Sequence, residues 1–147
     1  MAGHEFRLEQ VLKFRKEVEK MQQLEFAAAR QRQDSARERL RNEKDAMQNL
    51  EQEFSQRQLE GIEAKDLQLY GDFNMRKTRE IQLIRDSLPG LEKAVQEKRE
   101  ALLTAAKDKK ALEIFKEKKL RELKMDQLSR ERAFLDEVAL QGRGGKE

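Results

Sequence analysis

The chain has 147 residues, of which 41% are charged and 37% hydrophobic, with no Trp and one Tyr. That supply is too poor in large apolar side chains for an ordinary globular core, and leaves two classes, disordered chains and long charged helices. The 32 basic and 29 acidic residues nearly balance at a net charge of +3, which excludes the strong basic field of a dedicated nucleic-acid binder.

Regular apolar spacing and the content of Ala, Glu, Lys, Leu and Arg select the helical class. Pro89 is the one proline, and Gly is scarce before the C-terminal tail. Without Cys there are no disulfides, thiolate metal sites or Cys nucleophiles. No secretory leader pattern opens the chain, and no stretch approaches the ~18 apolar residues of a membrane helix. A cytoplasmic protein is expected.

A first helix is predicted over about 5–59. Its apolar seam opens Val11, Phe14, Val18, Met21, Ala28, at the three–four steps of a coiled coil. A second stretch, Ala36, Leu40, Met47, Leu50 and Phe54, is out of phase with the first. Two successive steps of four near Arg32 predict a stutter, which unwinds a supercoil without ending the helix.

A turn is predicted over 60–65, centred on Gly61, which can take a left-handed conformation at a helix end. Asp66 is the expected cap of the next helix. That second helix is predicted over about 66–140. Its seam is Ile81, Ile84, Leu88, Leu91, Val95, Leu102, Ala105 and Leu112, with Lys98 and Lys109 as polar members. Pro89 falls inside the seam without shifting its phase, so a kink near 89 is expected rather than a break. Residues 142–147 are expected to fray.

The predicted fold is therefore all-α, a long antiparallel two-helix coiled-coil hairpin over residues 1–147. The narrow apolar stripe suits two strands. Polar seam members (Glu25, Arg32, Glu43) cost stability and restrict register. With a reversal near residue 63, Phe6 lies opposite about Leu120. The second helix then overhangs the first by roughly 20 residues, or ~30 Å. The overhang keeps Leu123, Leu128, Phe134, Leu135, Val138 and Leu140. An uncovered amphipathic helix is an ordinary partner-binding element, and a frayed terminus is the bland alternative.

Catalytic chemistry finds no support. His4, the one histidine, sits near the N-terminus, and carboxylate pairs such as Glu51 and Glu53 read as solvated face. No cofactor is expected. The basic run from Lys107 to Lys124 is interleaved with acids and reads as a solvated face, with a patch for an acidic partner as the alternative. Ile114 with Phe115, and Leu24 with Phe26, are candidate contacts beside the seam. Leu69, Tyr70, Phe73 and Met75, beside the turn, serve equally as turn packing or as an interface.

Several segments resemble flagellar export proteins of the FliJ family: the opening Phe6-Arg7-Leu8-Glu9-Gln10-Val11-Leu12-Lys13-Phe14-Arg15, the mid-chain Leu67-Gln68-Leu69-Tyr70-Gly71-Asp72-Phe73 with the Ile81 to Val95 heptads, and the endings around Lys110 to Glu117 and Glu131 to Ala139. Their order and spacing carry the resemblance. It implies a two-helix hairpin in the flagellar type III export apparatus, similar in fold to the central stalk of rotary ATPases. The implied partners are the export ATPase ring, the export-gate membrane protein and the export chaperones. The implied location is cytoplasmic, peripheral to the membrane-embedded apparatus. Phe6 to Arg15, including Leu8 and Val11, and Leu112 to Ala139 match the end that would enter the ring. Tyr70 and Phe73 match the gate-contacting region. A structural or scaffolding coiled coil, forming a homo- or hetero-oligomer, is the alternative function, and a nucleic-acid-associated coiled coil is a third.

Overall fold

The structure is a computed structural model that describes residues 2–144, with the side chains of residue 3 and residues 7–143. Two helices account for the described chain except for the turn: α1, Ala2–Glu60, and α2, Ala64–Gly144. No strand occurs among the described residues. The fold is an all-α hairpin. Its partners run in opposite order along the two helices, Glu43 meeting Lys77 and Glu25 meeting Lys98.

Between the helices lie Gly61, Ile62 and Glu63. Gly61 has φ +98°, a conformation that costs an L-residue but not glycine. The reversal follows from that one permissive residue. Asp66 does not cap α2. It lies in the first turn, where its backbone N–H, like that of Leu67, donates to the Glu63 carbonyl at 3.1 Å. Its carboxylate still favours the positive end of the helix dipole.

Two compact units divide the chain. The turn unit is Lys20–Leu103, and the terminal unit comprises Met1–Glu19 with Thr104–Glu147. In the turn unit the α2 side of the interface is the expected series: Ile81, Ile84 and Val95 are buried, and Leu88, Leu91, Lys98 and Leu102 half-buried. Pro89 lies within α2 and leaves this phase intact. One turn before it, the Ser87 hydroxyl donates to the Ile84 carbonyl at 2.6 Å, a back-bond of the kind that bends helices.

The α1 side differs from the expected seam. In the turn unit its covered positions are Gln22, Phe26, Ala29, Gln33, Ala36, Leu40, Glu43, Met47, Leu50 and Phe54. In the terminal unit they are Leu8, Leu12, Arg15 and Glu19. These fall at alternating steps of three and four, with no stutter, and Glu25 is half-buried beside them in the turn unit. Val11, Phe14 and Met21, expected in the seam, are 44%, 58% and 53% exposed, while Leu12 is 4% exposed. Val18 is half-buried and Ala28 exposed.

Charge explains the choice. The phase that buries Leu12 brings α1 acids and bases against opposite charges on α2. In the terminal unit Glu19 meets Lys109 at 2.7 Å, Arg15 meets Asp108 at 3.4 Å, and Glu9 pairs with Lys116. In the turn unit Glu25 meets Lys98 and Glu43 meets Lys77, both at 2.8 Å. Pairs at this exposure add little stability individually, but a wrong register strands all of them. Among the described residues no large side chain is completely buried, so packing energy is modest and register rests on the pairs.

Candidate functional site

Two surfaces carry the candidate residues. The first belongs to the terminal unit. Leu8 is half-buried in the seam and Val11 is exposed beside it, while the side chain of Phe6 lies outside the described residues. Among the described residues, the pair Glu9–Lys116 is the last ion pair between α1 and α2 toward this end. Beyond it, every residue from 117 to 143 is exposed. Leu123 and Leu128 are each 45% exposed, Val138 47%, Leu135 63% and Phe134 65%. Leu120, Leu123, Phe134 and Val138 continue the side of α2 that earlier faces α1, because their spacing keeps close to the three–four step. The apolar side of a coiled-coil helix thus runs on beyond Lys116 with no facing side chain among the described residues.

The second surface belongs to the turn unit. The Tyr70 ring stacks on Phe54, with centroids 3.7 Å apart and planes at 6°. That contact makes Tyr70, which is half-buried, a packing residue that joins the two helices next to the turn. Phe73 is 37% exposed, with the Lys77 ammonium 5.6 Å from its ring centre. Leu69 and Met75 are 62% and 60% exposed. A shallow hollow of about 630 Å³ opens here between Phe54, Arg57, Ile62, Leu69, Tyr70 and Phe73. So the cluster divides: Tyr70 holds the turn, Leu69 and Phe73 offer an apolar face to solvent, and Met75 is exposed on another side of α2.

Two side chains have displaced acidities. Lys77 is raised above the usual lysine value, chiefly by its bond to the Glu43 carboxylate, with burial opposing. Lys109 is raised chiefly by its bond to Glu19, again against burial. Both keep their charge more firmly, as befits cations that fix register. Neither shift prepares a proton transfer near neutral pH. Among the described residues no three His, Cys, Asp or Glu side chains are grouped to hold a metal ion. No helix among the described residues is long and apolar enough to cross a membrane.

Sequence reasoning named Val11 and Leu24 as candidate contacts but missed that, with Phe14 and Met21, they belong to an exposed α1 stripe. In the terminal unit it is Val11 and Phe14, in the turn unit Met21 and Leu24. A signal was present: carried back from Phe54, Leu50, Met47 and Leu40 in unbroken three–four steps, the phase lands on Leu12 and Leu8.

A search against curated proteins and one against solved structures each give no match. The family model described as "Flagellar FliJ protein" matches residues 4–146. With nearly its whole length matched and its two helices folded as a hairpin, the chain belongs to the flagellar FliJ family and has a role in flagellar export.

Proposed function

We propose that the protein is a non-enzymatic coupling stalk of the flagellar type III export apparatus. In this reading the terminal unit engages the export ATPase ring. Leu8, Val11, Leu123, Leu128, Phe134, Leu135 and Val138 form the contact, together with Phe6. The turn unit serves the export gate through Phe73, with Tyr70 holding the ring stack beneath it. Export chaperones are further partners, and no cofactor is needed.

The observation that supports this best is the uncovered helix beyond Lys116, where every described residue is exposed yet large apolar side chains persist. A helix that ends its intramolecular pairing and keeps its apolar side is suited to a groove in another protein. A charged exterior with apolar anchors also suits a shaft that must remain dispersed before assembly.

The test is a binding measurement with the purified export ATPase. Phe134→Ser with Leu135→Ser should abolish binding while helix content and thermal unfolding stay unchanged. Normal binding by that variant would leave the overhang a passive tail and return the chain to the scaffolding reading.

A further inference from the structure

The outward side of α2 in the terminal unit carries a second pattern, distinct from its seam. Taken at steps of three and four from Lys107, one stripe holds the cations Lys107, Lys110, Lys118, Arg121 and Arg132. The same stripe holds Ile114, Met125, Leu128 and Leu135, which are 56%, 68%, 45% and 63% exposed. The acids of this segment are Asp108, Glu113, Glu117, Glu122, Asp126 and Glu131, and none of them falls on the stripe. At about 100° per residue the stripe lies across the helix from Ala105, Lys109, Leu112 and Lys116, the positions covered by α1.

The ion pairs follow the same division. Lys109 and Lys116, on the covered side, each meet a carboxylate of α1. On the stripe, Arg121 reaches Glu117 at 3.9 Å, while Lys107, Lys110, Lys118 and Arg132 make no ion pair among the described residues. The stripe is therefore a row of cations, all but Arg121 without an ion pair among the described residues, interleaved with exposed aliphatic side chains.

We propose that this stripe is a docking surface for an anionic lipid bilayer. Three features select that occupant. The charge is complementary, because clustered Lys and Arg on an amphipathic helix are drawn to anionic headgroups. Their long stems lie along apolar surface while the charges stay at headgroup level, so the aliphatic side chains between them can enter the interface together. Geometry is the third. From Lys107 to Leu135 the helix is uninterrupted and spans ~42 Å at 1.5 Å per residue. A flat bilayer meets a straight stripe of that length without shape complementarity, whereas an acidic protein would need a matching groove. The contact lies on the surface, since no helix here is apolar enough to cross. This inference does not depend on the ATPase reading, because vesicle binding is read without the ATPase and the cations of the stripe face away from the seam side of α2; Leu128 and Leu135 alone are common to both surfaces.

The full-length protein is tested by sedimentation with sucrose-loaded vesicles, of phosphatidylcholine alone or mixed with phosphatidylglycerol. Binding should require phosphatidylglycerol and fall as KCl rises. Lys118→Glu with Arg132→Glu should weaken it by at least tenfold, since each lost cation near such a surface is worth roughly fivefold. Ile114→Ser with Met125→Ser should weaken it as well, which simple charge attraction would not predict. Arg37→Glu with Arg41→Glu, in the turn unit, should change it far less. Circular dichroism must show every variant equally helical. Equal partition onto neutral vesicles, failure to bind anionic ones, or equal loss from the turn-unit variant would each overturn the proposal. So would stripe-dependent capture of polyglutamate without vesicle binding, which would make the occupant an acidic protein.

Discussion

Leu12 and Phe14 lie two positions apart on α1, and their exposures reverse the order that their size suggests. Phe14 is the larger and is 58% exposed, while Leu12 is 4% exposed. Leu12→Ala removes buried carbon atoms from the α1–α2 interface of the terminal unit. Buried Leu→Ala changes span about 2–5 kcal/mol, and a two-helix interface that relaxes easily belongs near the lower end, about 2–3 kcal/mol. For a chain of this size, that corresponds to a fall in melting temperature of roughly 5–10 °C. Phe14→Ala removes a ring that already faces water, so it should stay within about 0.5 kcal/mol of the parent. The assay is urea and thermal denaturation of both variants, followed by circular dichroism at a helix band. Amide hydrogen exchange then locates the change in the terminal unit. A larger loss for Phe14→Ala than for Leu12→Ala would refute the register and restore the Val11–Phe14–Val18–Met21 seam.

Gly61→Ala should destabilise by about 1–2 kcal/mol, all of it from backbone strain. The reason is that φ is +98° and a methyl group there meets nothing within 4 Å; an unchanged urea midpoint would argue against that strain. Pro89→Ala should stabilise the protein by about 1–3 kcal/mol, because proline removes a helical hydrogen bond and crowds the preceding turn. Lower helicity in that variant would mean that the turn unit needs the bend. The bonds from Lys77 and Lys109 to carboxylates should be felt in alkali. Both lysines are raised above the usual value of 10.5, so their stabilising effect is complete below that pH and is lost as pH climbs through the higher folded value. Melting temperature should therefore drop above pH 10.5, more gently in Lys77→Gln; identical profiles would remove the Glu43 contact from the account.

The middle of the α2 seam was legible from the sequence because most of its members are aliphatic, while its polar ends, Lys77 and Lys116, were not. Ile81, Ile84, Leu88, Leu91 and Val95 fall on one phase with no competing set of equal strength, and Pro89 sits where it leaves that phase unshifted. The hairpin followed from Gly61 for a similar reason, as the only residue between two long periodic runs that suits a left-handed turn. Asp66 was misplaced by the usual uncertainty of helix ends, since α2 begins at Ala64. The first half of α1 was misread because apolar spacing was allowed to decide alone. Two phases compete there, one holding Val11, Phe14, Val18 and Met21, the other Leu8, Leu12, Phe26 and Ala29. The first wins on hydrophobicity within α1, but its partners must come from α2. In the terminal unit α2 offers Lys109, Lys116 and Asp108 at or beside the interface, so α1 presents Glu19, Glu9 and Arg15 to them. A helix pair chooses its register jointly, and the charge pattern of the second strand is invisible to periodicity in the first.

That choice bears on function. In the terminal unit, burying the charged phase turns Val11 and Phe14 outward, and α1 keeps apolar side chains that its own partner helix does not use. The sequence uses its less apolar phase for folding and leaves the more apolar one exposed. In a chain selected only to fold, exchanging Val11 and Phe14 for polar residues would add solubility at little cost in stability. Their presence in a family with a role in flagellar export fits a surface maintained for contact. The proposed ATPase interface then acquires an internal control. Val11→Ser with Phe14→Ser should keep the melting temperature of the parent, because neither residue supports the hairpin, yet weaken ATPase binding by at least tenfold. Weakened binding with intact melting would assign the stripe to the interface together with the overhang. Undiminished binding would confine the contact to α2 beyond Lys116 and remove Val11 from it.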